Sequence, residues 1–134
     1  MKTFAAFLRV IAAAFLLVGA LHVVLGLNAD AMLGAQIPAA VIADPGLDSQ
    51  NRFFGASFAL YGVLVWFCAS NPTKYAAVLR CVVWAVFAGG LARLVSIALH
   101  GMPPPFILQL LLSELIAPPL VLWWFSHAQR QCPP

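Results

Sequence analysis

Four apolar runs, each ended by residues that a helix does not tolerate, constrain this chain more than any other feature. A helix needs about 20 predominantly apolar residues to cross the hydrocarbon core of a bilayer. The pattern predicts helices over about 4–27, 51–69, 75–100 and 106–127. Asn71-Pro72-Thr73-Lys74 punctuates the second and third runs, which predicts a tight hairpin. Gly101-Met102 followed by Pro103, Pro104 and Pro105 separates the third from the fourth, because prolines remove amide donors and clash with the preceding turn. These segments together with their connecting loops take up nearly all of the 134 residues. One all-α membrane domain over 1–134, an integral membrane four-helix bundle, is therefore expected. Composition points the same way: 63% of residues are hydrophobic and 8% charged, whereas soluble domains carry roughly a quarter charged residues.

Orientation follows from where the cations collect, since Lys and Arg flanks are retained in the cytoplasm. Lys2, Arg9, Lys74, Arg80 and Arg130 fall on one side, while Asp30, Asp44 and Asp48 lie in the 28–50 loop on the other. The expected topology is N-in/C-in in a bacterial inner (cytoplasmic) membrane, with Trp66, Tyr75, Trp123 and Trp124 at the cytoplasmic interface. An uncleaved anchor fits the first run better than a signal peptide, whose apolar region spans only about 7 to 15 residues. The net charge of +3 does not indicate nucleic acid, because the cations are scattered singly and cap apolar runs. Cys68, Cys81 and Cys132 contain no Cys-x-x-Cys pair, so free thiols and no metal site are expected.

The informative residues are ionisable ones inside the apolar runs, where an unpaired charge is expensive. Arg93 and Glu114 lie at similar depths on helices joined by a short proline-rich loop, and pairing keeps both charged. Small and polar residues recur at helical spacing: Ala85, Gly89, Arg93, Ser96 and His100 on the third helix; Arg52, Gly55, Ala59, Gly62 and Trp66 on the second; Ala12, Phe15, Gly19, His22 and Gly26 on the first. Such stripes let membrane helices approach closely, and they place His22, Arg52, Arg93 and Glu114 together in the outer half of the bundle. Pro118 cannot donate to the carbonyl of Glu114, so the fourth helix is expected to kink or open there. The long 28–50 periplasmic loop contains apolar stretches and is expected to form a short lid helix, with Asp48 capping the second helix and pairing with Arg52. Each polar residue also has a plain role: the Arg93–Glu114 couple as an interhelical strut, Arg52 as the partner of Asp48, His22 as a packed hydrogen-bonding residue, His100 as an interfacial one.

Asp48-x-x-Asn51-Arg52-Phe53-Phe54-Gly55, Gly89-Gly90-Leu91-Ala92-Arg93-Leu94, Gly101-Met102-Pro103 and Glu114 carry a resemblance over nearly the whole chain. The sequence resembles a family of small four-helix bacterial inner-membrane proteins defined as a domain of unknown function, broadly DoxX-like. The resemblance implies a four-helix membrane bundle and, through the DoxX-like relation, hints at a quinone-linked redox subunit. No cofactor motif in the chain supports that hint, and no cofactor is expected.

Three functional classes remain open. The first is a membrane binding or accessory protein whose outer-half cavity, lined by Arg93, Glu114, Arg52 and His22, takes a small amphipathic molecule or lipid; an anionic group would suit the two arginines. The second is an intramembrane enzyme or redox-complex subunit using Glu114 as acid or base, with His22 as the second such group. The third is a purely structural membrane subunit, working through a membrane-complex partner or as a homo-oligomer. A bis-histidine haem site from His22 and His100 lacks supporting spacing, and one Arg–Glu pair supplies no continuous polar path for a channel.

Overall fold

The computed structural model describes residues 1–130, and helix accounts for most of them. The elements are α1 (Lys2–Leu25), α2 (Leu27–Met32), α3 (Ala39–Ile42), α4 (Pro45–Ser70), α5 (Ala76–His100) and α6 (Pro105–Arg130), with no strand among the described residues. α1, α4, α5 and α6 are each long and apolar enough to cross a membrane. Cys68 is buried and Cys81 exposed, both as free thiols, while Cys132 lies outside the described residues. The chain forms two compact units, 7–67 and 1–6 with 68–134.

In the 7–67 unit, α1 and α4 cross at a distance that only small residues permit. A Cβ on Gly19 would stand 2.7 Å from the carbonyl oxygen of Gly55 and 2.8 Å from the Cα of Ala59, and one on Gly55 would meet the Cβ of His22 at 2.6 Å. These are backbone collisions that no rotamer relieves. Phe15 and Phe58 then pack edge to face, 4.6 Å between centroids, beside the crossing. α1 stops at Gly26, whose φ of 56° belongs to the left-handed region favoured by glycine. The chain turns there directly into α2, and the 28–50 segment carries the two short helices α2 and α3.

α4 begins at Pro45, earlier than the apolar pattern alone places it. The cap is accordingly Asp44 and not Asp48: the Oδ1 of Asp44 accepts the Leu47 amide at 2.9 Å, with Pro45 at the first helical position where its missing N–H is harmless. Asp48 sits one turn inside the helix.

In the other unit, α5 and α6 pack as an antiparallel hairpin. The contact glycine is Gly90, where a Cβ would meet Leu115 Cδ2 at 2.9 Å and Glu114 Cβ at 3.1 Å. Gly89, placed on the packed stripe by its spacing from Arg93, instead faces open space. Gly89 and Gly90 lie four and three residues before Arg93, so both are compatible with its face; packing selects the second. At the opposite end of the hairpin Phe4 is fully buried, edge-on to Trp124 at 5.3 Å and stacked on Phe125 at 5.4 Å. The helical path of α6 continues unbroken through Pro118 and Pro119.

Candidate functional site

Arg93 and Glu114 face each other across the α5–α6 hairpin. Arg93 lies about 10 Å along α5 from His100, and Glu114 roughly 13 Å along α6 from Pro105, at 1.5 Å per residue. The absence of a side chain at Gly90, one turn below Arg93, lets α6 approach closely enough for the two to meet. Nε of Arg93 donates to Oε2 of Glu114 at 2.7 Å and Nη2 donates to Oε1 at 3.1 Å. This two-pronged geometry is the strongest arrangement available to a guanidinium and a carboxylate. Both carboxylate oxygens are engaged, whereas Nη1 of Arg93 makes no hydrogen bond among the described residues. The carboxylate is the better sheltered partner, its side chain 17% exposed against 37% for Arg93.

A cavity of about 80 Å³ opens beside the arginine, walled by Arg93, Ser96, Ile97, Gly101, Ile107 and Leu111. That is room for a few water molecules, well short of the roughly 300 Å³ at which pockets begin to enclose a drug-sized ligand. Its wall is apolar apart from the guanidinium, the Ser96 hydroxyl and the backbone.

His22 and Arg52 have their partners within the 7–67 unit. Nδ1 of His22 lies 2.8 Å from the Val18 carbonyl, and since a carbonyl only accepts, that nitrogen carries the proton. Nε2 stands 3.3 Å from Oδ1 of Asp30, whose Oδ2 accepts from Nδ2 of Asn51 at 2.7 Å. Arg52 holds Asp48 through Nε at 2.7 Å and turns Nη1 onto the carbonyls of Val23 and Val24 at 2.7 and 3.0 Å. Those carbonyls end α1 and have no helical donor, so Arg52 closes a helix terminus in another element. Oδ1 of Asp48 takes the Leu27 amide at 3.3 Å. A Cβ on Gly26 would collide with that same carboxylate, so the turn requires glycine for its neighbour as well as for its φ. Both ring nitrogens of His22 therefore lie within hydrogen-bonding distance of an acceptor, the Nε2 contact being a hydrogen bond when the ring is doubly protonated, and both arginines are matched by a carboxylate.

Asp30 and Asn51 are the members of this network that sequence reasoning missed. Asn51 stands next to Arg52 in the Asp48-x-x-Asn51-Arg52 motif, and that adjacency was a usable signal. Asp30 offered none, because its return to His22 depends on the turn at Gly26.

Four helices of spanning length, with an Arg–Glu couple paired inside two of them, define a multi-pass helical membrane protein. The chain belongs to the family described as Domain of unknown function (DUF4345), whose model matches residues 3–125. Comparison with curated proteins and with solved structures finds no match.

Proposed function

We propose that this protein is a binding or accessory component of a bacterial-type inner membrane, N-in/C-in, that receives the polar head of a small amphipathic molecule or lipid beside Arg93. The observation that carries the reading is that Arg93, only two of whose donor groups Glu114 engages, lines an otherwise apolar cavity. A guanidinium costs several kcal/mol to place among hydrocarbon unless its donors are used, and Glu114 engages only two of the five. A cavity of about 80 Å³ limits the occupant there to a small polar head, with any hydrocarbon tail left outside it. The distribution of Lys and Arg about the spans supports the orientation. Within the 7–67 unit, Arg52 with Asp48, and His22 with Asp30 and Asn51, tie the α1–α2 turn to α4.

The rival, an intramembrane enzyme or DoxX-like redox subunit with Glu114 as acid or base, fits less well. Each oxygen of Glu114 already accepts from Arg93, so a substrate would have to share the carboxylate with the guanidinium. A purely structural subunit, acting through a membrane partner or as a homo-oligomer, needs no cavity at all.

Native mass spectrometry of the detergent-solubilised protein, with extraction and identification of whatever it retains, separates these readings. A discrete amphipathic species held by wild type and lost from Arg93→Gln supports binding. Wild type carrying nothing specific, while the variant only loses stability, leaves the couple as a strut and ends the binding proposal.

A further inference from the structure

The pairing of Arg93 with Glu114 also bears on the charge of the head group, an inference that rests on the binding reading above. The couple is formally neutral. An anionic head beside it would leave one uncompensated negative charge in a medium that stabilises ions poorly, and burial of such a charge is strongly unfavourable. What the site offers is donors. Nη1 makes no hydrogen bond among the described residues, and hydrogen bonds from an ionised donor are roughly twice as strong as neutral ones.

Ser96 adds a second donor. Ser57, Ser113 and Ser126 each return their hydroxyl to a carbonyl of their own helix, at 3.1, 2.8 and 2.9 Å. Ser96, on the cavity wall, makes no such bond among the described residues. Arg93 and Ser96 thus line one space together with the apolar side chains of Ile97, Ile107 and Leu111. We infer that the cavity selects an uncharged head bearing a hydrogen-bond acceptor, an ester or ketone carbonyl on a hydrocarbon chain, over an anionic head.

The test offers wild-type protein in lipid nanodiscs three probes in competition: methyl palmitate, the permanently anionic hexadecane sulfonate, and hexadecane. Retention is read by mass spectrometry, with Arg93→Gln and Glu114→Gln in parallel. The expected result is at least tenfold preference of wild type for the ester over both other probes, lost in Arg93→Gln. In Glu114→Gln, where the arginine is no longer neutralised, the order should reverse in favour of the sulfonate. If wild type holds the sulfonate as well as the ester, or better, and does so through Arg93, the neutral-head inference is overturned while the binding site stands. If no probe depends on Arg93, the binding reading falls and this inference with it. The wild-type comparison decides the matter even if Glu114→Gln fails to fold.

Discussion

Arg52 of α4 closes the end of α1 by donating Nη1 to the carbonyls of Val23 and Val24 while its Nε holds Asp48 one turn back. One side chain thus joins two helix segments and the turn between them. Arg52→Gln should lower the thermal unfolding midpoint in detergent, because both carbonyls lose their donor. Arg52→Lys should fall between the two, since an ammonium can keep Asp48 but lacks the fork needed to bridge two carbonyls as well. Circular dichroism melts of the three proteins check the order. A lysine variant as unstable as the glutamine variant would contradict it.

The glycines of the 7–67 unit and of α5 make opposite predictions. Gly19→Ala places a methyl against the backbone of Ala59 and Gly55, and overpacking of this kind costs about 1–3 kcal/mol. Gly89→Ala meets nothing within 4 Å and should be neutral or stabilising by about 0.5–1 kcal/mol through helix propensity. Unfolding in mixed micelles, titrated with a denaturing detergent, measures both changes.

The Arg93–Glu114 couple should show strong non-additivity. Removing one partner strands the other charge, a loss of about 3–5 kcal/mol for a fully buried pair and less here, where Arg93 is 37% exposed. Removing both as Arg93→Gln with Glu114→Gln should cost less than the sum of the two single changes. A double-mutant cycle on unfolding free energy reads the coupling directly. Additive losses would mean that the two side chains act independently.

Capping distinguishes Asp44 from Asp48. Asp44→Ala removes the acceptor for the Leu47 amide and should cost about 1 kcal/mol, expressed as fraying of the first turn of α4. Asp44→Asn should restore most of it. Hydrogen exchange at Leu47 and its neighbours provides the readout, faster in the alanine variant and near wild type in the asparagine one.

How much of this was legible depends on which forces set each feature. The four spans were readable because hydrocarbon demands long apolar runs and prolines end them. The meeting of Arg93 with Glu114 was readable because a lone charge at that depth is untenable and a short proline loop forces antiparallel neighbours. The start of α4 was misplaced because Asp48 to Arg52 is polar, and polarity obscured a cap signal present in the sequence as Asp44 followed by Pro45. Gly89 and Gly90 could not be ranked, since helical spacing from Arg93 allows both. The cluster of His22, Asp30 and Asn51 depends on one positive φ at Gly26, a tertiary consequence that no local pattern encodes. Cavity size was equally hidden, being the residue of packing among Ile97, Ile107 and Leu111.

The most direct test of the central claim is photolabelling in nanodiscs with a diazirine placed near the ester of a palmitate derivative, followed by peptide mapping of the adducts. The account predicts that label concentrates on the cavity wall, at Ile97, Ile107 and Leu111, and disappears from there in Arg93→Gln. Label spread evenly over exposed apolar positions such as Leu99, Leu112 and Leu120, with the same pattern in the variant, would contradict it.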